Sequence, residues 1–183
     1  EKLIIFTKEL KVGNGSDREI DVGPLSSLDQ LEKVTEYIGL GVEQGAKILF
    51  GGHKLEGGIF DDGFYVEPTI FVDVDKDNIV AKEEIFGPVL VSFKSSDLSE
   101  ALKITNDVNF GLSSSIYTKD IKKAYEYINQ VDTGMVHVNS PTLGGEVHLP
   151  FGGLKSSGVG HREQGEEGFN FFSELISVYI DHS

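Results

Sequence analysis

Residues 79–89 read Ile-Val-Ala-Lys-Glu-Glu-Ile-Phe-Gly-Pro-Val. An acidic pair and an aromatic stand just before a Gly-Pro step, which opens into a β-rich run at residues 89–93. Pro88 fixes its own φ and biases Gly87 towards an extended backbone. Such a turn would hold Glu84 and Phe86 rigidly at a sheet edge. Taken alone, Glu83 and Glu84 read as two solvated carboxylates, so their meaning depends on what surrounds them.

Outward from this stretch, residues 46–50, 69–74, 112–117 and 135–138 are short runs with strand composition. Between them lie helical patterns. Leu28, Leu31, Val34, Ile38 and Val42 form a stripe that Ser27 or Asp29 could cap, weakened by Gly39 and Gly41. Asp97-Leu98-Ser99-Glu100 is a capping-box pattern ahead of Ala101, Leu102 and Thr105. Ile121, Ala124, Tyr125 and Ile128 fall at i, i+3, i+4 and i+7. Strands alternating with helices predict an α/β fold with a largely parallel sheet flanked by helices. Residues 51–63 and 140–168 read as Gly-rich loop, and residues 175–180 read as a strand near the chain end that could pair outside its own domain.

The chain has 183 residues, 39% of them hydrophobic and 10% aromatic, which suits a folded core rather than disorder. Thirty acidic against sixteen basic residues give a net charge of -14, a field that repels a phosphate backbone, so no nucleic acid is expected as partner. No apolar stretch approaches the ~20 residues that span a bilayer, so no membrane is expected and a soluble, cytoplasmic protein is the default. There is no cysteine, hence no disulfide framework and no thiolate metal site. The five histidines, at 53, 137, 148, 161 and 182, show no i, i+4 pair, so no metal is expected. Residues 39–45 miss G-x-G-x-x-G by one place, and residues 153–158 lack the end of a phosphate loop. The start at Glu1, with no clear cap before Leu3-Ile4-Ile5-Phe6, reads as a cut inside a longer polypeptide.

Further short motifs run the length of the chain. They include Asp21-Val22-Gly23-Pro24-Leu25, Gln44-Gly45-Ala46-Lys47, Glu67-Pro68-Thr69, Phe110-Gly111-Leu112 and Gly134-Met135-Val136-His137-Val138-Asn139. The series closes with Pro150-Phe151-Gly152-Gly153-Leu154-Lys155-Ser156-Ser157-Gly158. With residues 79–89, this ordered set resembles the NAD(P)-dependent aldehyde dehydrogenases, over the later part of their catalytic domain.

The resemblance implies roles for particular residues. Glu84 matches a Glu that accepts hydrogen bonds from the nicotinamide ribose hydroxyls, a task suited to a carboxylate facing a diol. Phe86 matches a Phe that packs near the nicotinamide, while Gln30 and Lys33 match residues that approach the cofactor ribose. Leu143, Glu146 and His148 lie in the segment matching one side of the aldehyde tunnel. Its Glu-Val-His-Leu run resembles a branch that includes 2-oxoglutarate semialdehyde dehydrogenases. Pro150-Phe151-Gly152-Gly153 itself reads as tight backbone packing, not catalysis. Glu174, Leu175, Ile176, Val178 and Ile180 fall on the family's C-terminal oligomerisation strand, where Ile176 replaces a common Lys. His161 adds a residue before Arg162-Glu163.

By this resemblance, residues 1–160 are the later part of the catalytic domain and residues 161–183 a C-terminal segment with the oligomerisation strand. The complete enzyme would oxidise an aldehyde or semialdehyde to a carboxylic acid with NAD or NADP. Its catalytic Cys and general-base Glu match positions before Glu1, so this chain carries no catalytic residue and is expected to be inactive alone. No tightly bound cofactor is expected on the chain itself. The expected partners are the aldehyde, the missing N-terminal part of the enzyme, and further copies in a homodimer or higher homo-oligomer. The alternative is a non-enzymatic truncated domain acting in subunit assembly or binding.

Overall fold

Helix α2, Leu28–Glu43, shows how the first part of the chain is built. Ser27, in an extended conformation, accepts a hydrogen bond from Gln30 N and so satisfies an orphan donor of the first turn. Val34 and Ile38 point into the core, where Val34 is fully buried. The computed structural model to which this helix belongs describes residues 1–182. The chain divides into two compact units, Glu1–Lys94 and the part from Ser95 onward.

The first unit holds α1 (Lys2–Glu9), α2, β1 (Lys47–Phe50), a 3-10 turn (Gly58–Phe60), β2 (Thr69–Val72), α3 (Ile79–Lys82) and β3 (Val89–Val91). The sheet order is β1-β2-β3, with β1 antiparallel and β3 parallel to β2, Thr69 facing Val89 and Phe71 facing Val91. Val34, Ile38, Ala46, Val66, Phe71, Val80 and Ile85 form its core. Each large apolar side chain buried there stabilises the unit by about 1.5–3 kcal/mol. Asn78 joins two elements: its Oδ1 caps α3 at Val80 N, and its Nδ2 donates to Gly41 O of α2. Residues 3–6, left without an element by the sequence, form part of α1. This helix has no side-chain cap and leaves Ile5 and Phe6 exposed, so no local signal announces it.

The second unit holds α4 (Leu98–Asn106), β4 (Phe110–Gly111), β5 (Ser113–Ile116), α5 (Ile121–Gln130), β6 (Met135–Val138), β7 (Leu154–Lys155) and α6 (Gly165–Phe171). Strands β5 and β6 pair in parallel, with α5 between them in the chain, while β4 and β7 pair antiparallel. The protein is thus α/β. Parallel pairing occurs at β2–β3 and β5–β6, and the remaining two pairs are antiparallel.

Four local readings change. In α4, Asp97 caps Glu100 N, but the Glu100 carboxylate reaches past Asp97 to Ser96 N and Oγ. In α5 the buried face is Ala124, Tyr127 and Val131, whereas Ile121 and Tyr125 are 66% and 62% exposed. The core of Leu102, Tyr127 and Val131 selects that face, and spacing alone could not choose between two apolar stripes. Part of the expected 140–168 loop is ordered as β7 and the start of α6. Residues 175–180 form no strand with any described residue, and Leu175, Ile176, Val178 and Ile180 are exposed. Among the described residues no helix is long and apolar enough to cross a membrane.

Candidate functional site

In the first unit, the stretch from Glu83 to Pro88 leaves α3 and enters β3, and α2 lies beneath it. Ile85 is buried in the core and pins the centre of the loop. Gln30 Nε2 donates to Ile85 O and to Phe86 O, each at 2.9 Å. Lys33 Nζ donates to Glu84 O at 3.2 Å and stands 5.8 Å from the centroid of the Tyr37 ring, within cation–π range. Gly87 meets α2 so closely that a Cβ there would lie 2.6 Å from Val34 Cγ2. On the strand side, Val89 N donates to Gly87 O across Pro88, and Thr69 N donates to Pro88 O.

These contacts explain what the loop presents. Phe86 has φ +56°, in the left-handed region that bulky residues rarely adopt, and the residue is 74% exposed. The exposed Glu84 carboxylate has no hydrogen bond or ion pair to any described residue. The loop therefore offers an uncommitted anionic acceptor and an aromatic face from an ordered backbone. That pairing fits a ligand with a diol beside a planar ring, and a nucleoside of NAD or NADP has both features. The structure brings all four residues, Gln30, Lys33, Glu84 and Phe86, to one place. Gln30 and Lys33, however, are directed at the loop's main chain.

The second unit contains an open cavity of about 650 Å³. Leu143 and Glu146 line it, together with Met135, Leu149, Phe151 and Gln164. His148 is not among its lining residues; a Cβ at Gly165 would come within 2.7 Å of its carbonyl oxygen, so this backbone packs against the start of α6. The lining segment is tied at both ends. Asn139, at φ +57°, exchanges two hydrogen bonds with the Thr118 backbone, and Ser115 Oγ donates to Ser140 O. At the other end of the segment, Phe151 and Glu163 exchange both backbone hydrogen bonds.

The Pro-Phe-Gly-Gly run acts here through its backbone. A Cβ on Gly134 would overlap Gly152 O, and one on Gly153 would overlap Ser157 O. Arg162 Nη1 donates to Gly153 O. Lys155 Nζ donates to Asn106 O at 2.7 Å and Val108 O at 3.1 Å, satisfying carbonyls at the end of α4. Asn106 in turn donates to Gln130 O and accepts from Asp132 N. The sequence reading passed over Lys155 as a capping residue because its partners lie 47 and 49 positions away. The Lys33–Tyr37 contact had a signal, the i, i+4 spacing on one helix.

Among the described residues no three His, Asp or Glu side chains gather to hold a metal ion. The chain has no cysteine, so neither place contains a thiol nucleophile.

Comparison with known proteins places these features in context. The model of the aldehyde dehydrogenase family matches residues 1–178. The chain is 42% identical to an alpha-ketoglutaric semialdehyde dehydrogenase of Bacillus subtilis over 98% of its own length and 37% of that protein. It is 40% identical to a betaine aldehyde dehydrogenase of Mesorhizobium japonicum, covering 99% of itself and 37% of the relative. Among solved structures, betaine aldehyde dehydrogenase of Staphylococcus aureus in complex with NAD+ superposes with a TM-score of 0.89 at 30% identity, over 98% of this chain and 38% of that one. An aldehyde dehydrogenase of Mycobacterium tuberculosis complexed with NAD+ gives 0.87 at 40% identity, over 94% and 35%. The chain thus spans little more than a third of the length of the relatives it matches.

Proposed function

Because this chain belongs to the aldehyde dehydrogenase family, we propose that it forms part of an NAD(P)-dependent enzyme that oxidises an aldehyde or semialdehyde to a carboxylic acid. Its share is the nicotinamide side of the cofactor site, one wall of the aldehyde cavity and a segment for self-association. The observation that carries this reading is the loop at residues 84–86, where a free carboxylate and an exposed ring are held on an ordered backbone.

Bound NAD or NADP would supply the oxidant. Glu84 would accept from the two ribose hydroxyls, and Phe86 would limit where the nicotinamide ring can lie. Orientation of this kind matters because misplacing a reacting carbon by about 1 Å can cost about a hundredfold in rate. Leu143, Leu149 and Phe151 give the cavity an apolar wall that keeps water from the aldehyde, and Glu146 and Gln164 give it polar points of contact. The thiolate chemistry of the reaction belongs to residues outside this chain, which has no cysteine. The chain alone is therefore proposed to be inactive and to bind the cofactor weakly.

The test is aldehyde-dependent formation of NADH or NADPH by the native protein and by the 183-residue chain, offered the aldehydes that its relatives' names suggest. Activity in the native protein and none in the chain is the expected result. Activity in the isolated chain would overturn the assignment of the chemistry to residues elsewhere. A second reading, a module for assembly, is favoured by the exposed apolar residues 175–180. It would lead if the native protein had the mass of this chain and no dehydrogenase activity.

A further inference from the structure

We propose that Asn14 is a site of spontaneous modification: with Gly15 it closes to a succinimide, which water opens to aspartate and isoaspartate. The site lies in the loop between Gly13 and Asp21 of the first unit, where residues 14–19 are exposed. The inference stands apart from the dehydrogenase reading.

Nucleophile, electrophile and a donor for the developing charge come from three successive residues. Ring closure requires the Gly15 main-chain nitrogen to attack Cγ of Asn14. The Gly15 N–H has no hydrogen bond to any described residue, so no partner opposes its deprotonation. Asn14 Oδ1 accepts from Ser16 N at 3.0 Å, closing an Asx turn. Negative charge collects on that oxygen during the attack, so the Ser16 amide already stands where the oxyanion needs a donor. Asn14 Nδ2, the departing atom, has no hydrogen bond to any described residue. A Cβ on Gly15 would meet nothing within 4 Å, which leaves hydroxide and water free access.

The step needs only base and water. Base takes the Gly15 amide proton, the nitrogen bonds to Cγ, and the Cγ–Nδ2 bond breaks with loss of ammonia. The ring nitrogen is then bonded to both Cγ and the Asn14 main-chain carbon. Water adds to one of these carbons and breaks its bond to nitrogen. Addition at Cγ gives aspartate, whereas addition at the main-chain carbon gives isoaspartate, with an extra methylene in the backbone. Either product adds a negative charge to a chain already at -14.

The other asparagines lack this arrangement. Only Asn14 precedes a glycine. Asn78, Asn106 and Asn139 each commit both polar side-chain atoms to hydrogen bonds. The base of the reactive loop is held separately. Lys11 O accepts from Asp21 N and Val22 N, and Gly13 N donates to Val22 O. A lengthened backbone at residue 14 is therefore taken up within the loop.

The experiment ages the native protein at physiological temperature and mildly alkaline pH, then digests it with trypsin and follows the peptide Val12–Arg18. That peptide should gain the mass of an amide-to-acid exchange and accept a labelled methyl group from an isoaspartyl carboxyl methyltransferase. Its rate should lie within about tenfold of that of the same peptide free in solution. Peptides carrying Asn106 and Asn139 should stay unchanged over the same period. Gly15→Ala should slow the change roughly tenfold or more, because the added Cβ crowds the attacking nitrogen. The variant keeps its fold, since the position is open and its φ lies outside the left-handed region.

A native rate more than about tenfold below that of the free peptide would overturn the proposal, because the fold would then hold the two atoms apart. So would a Gly15→Ala protein that is modified as fast as wild type.

Discussion

Gly87 and Val34 touch across the join between a loop and a helix: any Cβ at position 87 would press into the Val34 side chain, which is itself fully buried. Gly87→Ala must therefore push the loop off α2 or distort a core with no slack. We expect a loss of about 1–3 kcal/mol in the first unit. Urea unfolding of wild type and variant measures it, and a loss below a few tenths would mean that the loop yields freely.

Two glycines of α2 separate helix propensity from packing. Gly39 has open space where its Cβ would be, whereas a Cβ at Gly41 would lie 2.6 Å from Val80 Cγ1 and 3.3 Å from the Phe71 ring. Gly39→Ala should stabilise the unit by about 0.5–1 kcal/mol. Gly41→Ala should destabilise it despite the same gain in propensity. Opposite signs in denaturant midpoints are the expected result.

Asn106 closes two chain ends at once, donating to Gln130 O at the end of α5 and accepting from Asp132 N. Asn106→Ala leaves both groups without that partner. A loss of about 0.5–1.5 kcal/mol follows for the second unit. Thermal unfolding that did not move would mean that water replaces the side chain at both groups.

Acid should loosen the start of α4. The Ser96 main-chain N–H, and after it the Ser96 hydroxyl, hold the Glu100 carboxylate below its ordinary range. A depressed folded pKa gives a contribution that is present above the unfolded pKa and disappears as pH falls through the folded one. Asp73 has the same sign, lowered by its hydrogen bond and charge pairing with Lys47. Melting temperature followed downwards through the carboxylate range should fall less steeply in Glu100→Gln than in wild type. At about 1 M salt the Asp73 part should shrink, while the Ser96 hydrogen bonds persist.

Removing residues 174–183 should convert an oligomer of the native protein into smaller species, seen as a fall in mass by light scattering. A tight oligomer that survived the deletion would remove the assembly role from this segment.

Much of the scaffold was legible because its signals are local. Ser27 and Asp97 cap helices where polar residues precede apolar stripes, and the β-rich runs at 69–74 and 135–138 contain β2 and β6. What escaped reading depends on contacts distant in sequence. The buried face of α5 was set by Leu102, and α1 has no cap. At the site, residues 84 and 86 stood out through the Gly-Pro turn beside them and the family resemblance of residues 79–89. The part played by Gln30 could not, since its partners lie 55 and 56 positions on and are carbonyl oxygens, which every residue possesses.

Every hydrogen bond from α2 to the loop ends on a main-chain oxygen, so the hold is indifferent to the side chains at 84 and 86. Within the limits of a left-handed backbone at one position, new side chains can be tried there without first rebuilding the support. Mutation can vary the chemistry that the loop offers while inheriting its shape unaltered.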